Sequence, residues 1–231
     1  HTGAQNNGKN IVTFDGGTTV YNKSGKPVLF DEAYEEKLIV FESNLFDQKG
    51  KKRPKRSKIA QKNAAIVQGI KHMKTILGWE NHPKLLVGLS GGVDSSVVAA
   101  LSVQALGREK VLGVNMPTKY NTEKTKTSAR SLAEALEIPY MIVPIEDLAQ
   151  KLTEKIEDAD FPGMDKKLSQ LNKENIQAKI RGTSVLSNLA AKYDALFTNN
   201  GNKLEIALGY ATLYGDVGGA IAPIGDLTKA E

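Results

Sequence analysis

A chain of 231 residues with 40% apolar and 25% charged side chains has the composition of a soluble globular protein, either one large domain or one domain with a piece of another. No run of residues approaches a membrane span, the N-terminus lacks the apolar core of a signal peptide, and the absence of cysteine excludes disulfides, thiolate metal sites and a cysteine nucleophile. A formal charge of +5 suits anionic ligands, the scattered His1, His72 and His82 argue against a histidine metal site, and a cytoplasmic protein with no membrane partner is expected.

Residues 1–45 read as β structure. Asn10–Asp15 and Thr18–Asn22 are rich in β-branched and aromatic residues around the turn signal Asp15-Gly16-Gly17. A second turn, Lys23-Ser24-Gly25-Lys26, leads to Val28–Phe30, and Lys37–Phe41 closes the pattern. Three or four strands of this size do not bury a core alone, so the segment reads as the tail of a larger domain or an appendage on the next one. Residues 46–57 form a basic linker whose cations continue to Lys58, with Gly50 and Pro54 inside it. A nucleic-acid tract is the alternative, but no aromatic residue within Lys49–Lys58 could stack on a base, so no nucleic-acid partner is expected.

From residue 58 onward the period changes. Ile59, Ile66, Ile70, Met73 and Leu77 fall near one helical face, and Gly78 stops the helix. Four strand candidates follow, at Leu85–Leu89, Val111–Asn115, Tyr140–Val143 and Ala195–Thr198. Helices are expected between them near Asp94–Leu106, Glu123–Leu136 and, as one long helix, Asp165–Lys192. Continuous apolar strands alternating with helices predict an α/β fold, a doubly wound parallel sheet over residues 58–231. Ligands in such sheets bind at the carboxyl ends of the strands.

The most telling stretch sits at such an end. Leu85–Leu89 runs into Ser90-Gly91-Gly92-Val93-Asp94-Ser95, and a helical pattern starts directly after it. Glycines let backbone N–H groups approach a phosphate, and a helix N-terminus adds unpaired donors and partial positive charge. Ser90, Ser95 and Ser96 add hydroxyls, while Asp94 suits a magnesium ion carried by a nucleotide. An ordinary glycine turn with Asp94 as its N-cap is the plain alternative. No Lys follows the glycines, so this is not the loop that serves γ-phosphate transfer. It resembles the loop of the PP-loop ATP pyrophosphatases, which split ATP between its α and β phosphates.

Two further clusters complete the pattern. Asn175-Ile176-Gln177-Ala178-Lys179-Ile180-Arg181-Gly182 lies in an amphipathic helix, which composition alone reads as a salt-bridged surface helix. Gly201-Asn202-Lys203-Leu204-Glu205 follows the fourth strand and enters a helix through Leu208, and Gly209-Tyr210-Ala211-Thr212-Leu213-Tyr214-Gly215-Asp216 comes next. The first of these two turns is equally a loop with an Asn cap. In this order the segments resemble the NAD synthetases, and Leu213 before Tyr214-Gly215-Asp216 resembles their glutamine-dependent branch. Gly3 to Asn10 with Phe14-Asp15-Gly16-Gly17-Thr18 is similar to the last strands of a nitrilase-like glutaminase domain, whose catalytic Glu, Lys and Cys would lie upstream of His1. The family continues beyond Glu231, so the chain is expected to be a piece of a longer protein.

The resemblance implies ATP- and Mg2+-dependent amidation of deamido-NAD through an adenylated intermediate, with glutamine or ammonia as nitrogen source and no side-chain nucleophile. It implies that Gly88, Leu89, Ser90, Gly91, Gly92, Val93, Asp94 and Ser95 hold ATP and then pyrophosphate, with Asn200 and Lys229 as further ATP contacts. Asn175, Glu205, Tyr210, Ala211, Thr212, Leu213 and Asp216 would hold deamido-NAD, with Asp94 and Glu205 at the metal. Lys179 stands where the family usually has Arg, and Asn200 where it usually has Thr or Ser. A homo-oligomer is expected, joined through a helical face or the small β segment. Another PP-loop adenylating amidotransferase and a non-catalytic nucleotide-binding fragment are the rival readings.

Overall fold

Two short strands open the computed structural model, which describes residues 13–76, 84–119, 122–164, 166–215 and 217–231. Strand β1 (Thr19–Tyr21) pairs antiparallel with β2 (Pro27–Phe30). Asn22 makes the turn between them, its Oδ1 accepting from Ser24 N–H at 3.0 Å and Lys26 N–H at 2.8 Å. This is the local bonding that favours Asn in turns. Gly25 supplies the positive φ, +71°. The strand expected at Lys37–Phe41 is not formed: Leu38 and Val40 are 89% and 87% exposed. Apolar alternation stabilises a strand only where a sheet surface receives it, and no described neighbour does so here. Of Asn10–Asp15, residues 10–12 lie outside the described residues and 13–15 form no regular strand.

The basic run is partly tied down. The Arg56 guanidinium donates to Asp31 O at 2.6 Å and pairs with Glu32 at 3.3 Å, and that of Arg53 lies 5.8 Å from the centre of the Phe30 ring. Helix α1 (Lys58–Ile76) follows and buries Ile70 and Met73. It clusters with the preceding residues in one compact unit, His1–Trp79, whereas Glu80–Glu231 form a second. Leu77, Gly78 and His82 lie outside the described residues.

The second unit is built on strands β3 (Lys84–Gly88), β4 (Val111–Asn115), β5 (Tyr140–Ile142) and β6 (Ala195–Phe197), all parallel and in the order β5-β4-β3-β6. Leu85, Leu86 and Val87 are 0–1% exposed, as expected for a strand covered on both faces. The chain winds outward from β3 through β4 to β5, then returns to the other side of β3 with β6. The order therefore reverses between β3 and β6, and such a switch point opens a crevice at the strands' carboxyl ends.

Helices α2 (Val93–Leu106) and α3 (Glu123–Ala135) match the sequence expectation. Helix α4 (Glu146–Glu157) does not: that stretch had no assignment. It sets Ile145 and Ala149 into the core with Leu86, Met116 and Leu186, while Leu148, Leu152 and Ile156 form an exposed stripe. The expected long helix is Gln170–Lys192, made of α5 (Gln170–Lys179), a π-helical turn over Ile180–Leu186, and α6 (Ser187–Lys192). It starts later than expected because Ser169 and Asn172 close a reciprocal capping box there; Asp165 is outside the described residues. Helix α7 (Lys203–Leu208) follows β6. Among the described residues no helix is long and apolar enough to cross a membrane.

Candidate functional site

The loop after β3 is shaped by what holds its carbonyls and what caps the helix beyond it. Gly88 O accepts from Asn200 Nδ2 at 2.8 Å, and Leu89 O from Asn115 Nδ2 at 2.6 Å. Gly91 turns the chain at φ +82°, and a Cβ there would lie 2.2 Å from Thr125 O, so the loop presses against the first turn of α3. Gly92 is the N-cap of α2 and offers no side chain to its amides. Asp94 therefore stands inside the first turn and is not the cap, which removes the plain reading of this loop as an Asp-capped helix start. The serines fold the loop on itself. Ser95 Oγ and Ser96 Oγ donate to Gly92 O at 3.1 and 2.8 Å, and Ser90 N–H donates to Ser95 Oγ at 3.3 Å. A first turn without a side-chain cap, ending a 14-residue helix, concentrates partial positive charge at this loop.

A cavity of about 360 Å³ opens beside it, at the β3–β6 switch point. Gly88, Leu89, Ser90, Asp94 and Ser95 line one side, and Asn200, Glu205, Tyr210 and Ala211 line the other. Gly91, Gly92 and Val93 are not on its wall; they turn the chain, and Val93 is 60% exposed. Lys229 reaches the site through Asp94, with Nζ 3.4 Å from Oδ2. Thr212, Leu213 and Asn175 are off the wall: the Thr212 hydroxyl donates to Asn175 Oδ1 at 2.7 Å, and Leu213 is 67% exposed. Asp216 lies outside the described residues, and Lys179 is exposed and off the cavity.

The polar turn after β6 is held by its own side chains. Asn199 Oδ1 accepts from Gly201 N–H at 2.7 Å, and its amide donates to Val217 O at 3.2 Å. Asn202 caps α7, and Glu205 Oε2 accepts from Asn202 N–H at 3.0 Å in return. Asn200 accepts from the buried Thr198 hydroxyl at 2.7 Å while holding Gly88 O, so its amide joins the ends of β3 and β6.

Several wall residues had no site assignment in the sequence: Asn115, Met116, Arg181, Gly182, Leu186 and Phe197. Arg181 stood inside a quoted motif, and that was its signal. Met116, Leu186 and Phe197 carry none, because an apolar residue at a strand end or helix face looks the same whether it faces core or cavity. Beyond β4, Glu146 accepts from Lys119 N–H at 3.0 Å and pairs with its ammonium at 3.1 Å. The Lys119 backbone donor first, and its ammonium after partial desolvation, hold the Glu146 carboxyl below its usual range.

A magnesium ion fits the donors present. Mg2+ is commonly bound by one or two carboxylates plus substrate phosphates, and Asp94 and Glu205 share one cavity. Among the described residues there is no cluster of three or more acidic, histidine or cysteine side chains, so such an ion would depend on the nucleotide's phosphates.

The sequence model of the NAD synthase family matches residues 65–231. The glutamine-dependent NAD(+) synthetase of Thermotoga maritima is 31% identical over an alignment 259 positions long, which takes in 97% of this chain and 44% of that protein. The NH(3)-dependent NAD(+) synthetase of Methanocaldococcus jannaschii is 41% identical over 147 residues, covering 64% of this chain and 54% of that one. Among solved structures, the glutamine-dependent NAD+ synthetase of Acinetobacter baumannii in complex with ADP aligns with a TM-score of 0.84 at 28% identity, over 99% of this chain and 42% of that chain. The chain thus spans less than half the length of these glutamine-dependent relatives.

Proposed function

The chain belongs to the NAD synthase family, and from that premise we propose that it carries the ATP-dependent amidation of deamido-NAD to NAD. The observation that carries the reading is the uncapped first turn of α2 behind Ser90–Gly92, opening on a cavity at the sheet's switch point. The carboxylate of deamido-NAD is a poor acyl donor, because its leaving group would be oxide. Its oxygen attacks the α-phosphorus of ATP, the bond from that phosphorus to the β-phosphate oxygen breaks, and pyrophosphate leaves. Ammonia then attacks the carbonyl carbon, AMP departs with the electron pair of the C–O bond, and a proton is released.

The protein's share is positioning and charge stabilisation. The amides of α2's first turn and the hydroxyls of Ser90 and Ser95 receive the phosphates. Arg181 supplies positive charge from the cavity wall, and Lys229 supplies it beside Asp94. Asp94 and Glu205 would hold the magnesium ion that ATP brings, which neutralises charge on the phosphates. Asn200 holds the loop rather than meeting ATP through its amide. The glutamine-dependent branch is supported by coverage, since the relatives of that branch described above align with 97–99% of this chain against 64% for the ammonia-dependent one.

The test is a product assay with ATP, Mg2+, deamido-NAD and ammonium chloride. NAD, AMP and pyrophosphate should form in equal amounts, and Asp94→Ala should abolish them while the melting temperature moves little. That small shift is expected because the Asp94–Lys229 pair, with its ammonium exposed, is worth at most about 1 kcal/mol. Release of ADP in place of AMP, or an unchanged Asp94→Ala rate, overturns the proposal.

A further inference from the structure

The segment from Gly209 to Gly215 includes four residues expected to meet the dinucleotide, yet it is fixed on the long helix, whereas Gly219 beyond it packs against Asn199 in the turn after β6. A Cβ on Gly182 would lie 2.2 Å from Gly215 O. A Cβ on Gly215 would lie 3.0 Å from Ala178 C and 3.1 Å from Ala178 Cβ. Backbone meets backbone here at a separation that a side chain on residue 182 would not permit. The third fixed point is polar, the hydrogen bond from Thr212 Oγ1 to Asn175 Oδ1. Asn175, Ala178 and Gly182 recur at the spacing of one helix face, so the three contacts form a single row. The π-helical turn begins at Ile180, within this row, and Arg181 and Gly182 in its first residues stand on the cavity wall. Such turns are frequent at functional sites.

Between Gly209 and Gly215 the outer side has no comparable support among the described residues. Tyr210, Leu213 and Tyr214 are 78%, 67% and 70% exposed, and Tyr214 adopts φ +61°, uncommon for a bulky residue. With little packed against its outer side, the segment's placement depends on the row beneath it. Tyr210 and Ala211, which do line the cavity, inherit that placement.

We propose that Asn175 and Gly182 are positioning residues for the dinucleotide half of the site. They set the 209–215 segment on the helix, and the segment, not the Asn175 amide, meets the substrate. The proposal rests on the amidation reading above for the identity of that substrate.

Asn175→Leu removes the acceptor for the Thr212 hydroxyl, whereas Asn175→Asp keeps an acceptor oxygen and removes the amide donor. Asn175→Leu and Thr212→Val should each raise KM for deamido-NAD about tenfold, as expected for one lost hydrogen bond, with KM for ATP and kcat within about threefold. The double variant should be no worse than either single one, because both remove the same contact. Asn175→Asp should keep KM within about threefold of the parent, while Gly182→Ala should raise it by about tenfold or more. An Asn175→Asp variant as impaired as Asn175→Leu would place the amide N–H on the substrate and overturn the proposal. So would losses that multiply in the double variant, or an equal rise in KM for ATP. Amide exchange of residues 209–215 provides a readout independent of turnover. Exchange should rise in Asn175→Leu and Thr212→Val and not in Asn175→Asp, and no change in any of them refutes the anchoring. A parent chain that never saturates with deamido-NAD while this exchange pattern holds would sink the amidation reading and leave the anchoring intact.

Discussion

Replacing Gly91 by alanine puts a methyl group where the structure has none to spare. The new Cβ would lie 2.2 Å from Thr125 O, against 3.4–4 Å for an ordinary contact, so loop and helix α3 must part by about 1.2 Å. Gly91 also sits at φ +82°, where a side chain costs about 1–2 kcal/mol. Forcing an extra methyl into a tight contact adds about 1–3 kcal/mol. The sum, about 2–5 kcal/mol, is a large part of the stability of a domain that has roughly 5–15 to lose. The chemistry is more sensitive still, since a misplacement of about 1 Å near reacting groups costs on the order of 100-fold in rate. Gly92 is the internal control: a Cβ there meets only the movable Ser90 Oγ at 3.3 Å, in an ordinary backbone conformation with φ −88°. The measurements are urea unfolding and calorimetric binding of ATP with Mg2+. Gly91→Ala should lose both stability and binding, whereas Gly92→Ala should stay within about threefold of the parent in affinity. Equal tolerance of both substitutions, or equal damage from both, refutes the argument that the Thr125 carbonyl sets the loop.

Three more outcomes follow from the same structure. Glutamine should not serve this chain as nitrogen donor, because no cysteine is present to form a thioester; glutamate released from glutamine by the purified chain would contradict that. Glu146 is held ionised by Lys119, and a carboxyl with a depressed folded pKa contributes stability that is present above its unfolded value and lost as pH falls through the folded one. The melting temperatures of the parent and Glu146→Gln should therefore differ at neutral pH and converge below the ordinary value of 4.5, and a gap that widens on acidification would reverse the assignment. The exposed stripe Leu148, Leu152 and Ile156 on α4, with Phe161 and Met164 nearby in sequence and likewise exposed, should drive self-association; light scattering should show a species larger than a monomer that Leu152→Glu dissociates.

Much of the fold was legible in the residues because its signals are local. Continuous apolar runs marked all four strands of the parallel sheet, and Ser90-Gly91-Gly92 marked the turn between a strand and a helix that we propose receives phosphate. Glycine freedom, strand burial and helix starts depend on a few consecutive residues, so one sequence shows them. Lys37–Phe41 shows the limit: its pattern is that of a strand, but a strand exists only when a partner offers its hydrogen bonds, and no described neighbour does. Helix α4 carries an equally local signal, since Ile145, Leu148, Ala149, Leu152 and Ile156 recur at helical spacing; only the structure decides that Leu148, Leu152 and Ile156 face outward. The division of labour within the site was decided by tertiary structure alone. Asn200 and Asn175 look alike as candidates to touch a ligand, and in the structure each also holds a carbonyl or hydroxyl of another segment, as does Asn115, which the sequence did not single out. Buried polar groups must find partners, and which partner is near depends on how segments distant in sequence are brought together. The order β5-β4-β3-β6, which opens the crevice, is likewise a property of how the chain returns across the sheet, and no residue in any one strand encodes it by itself.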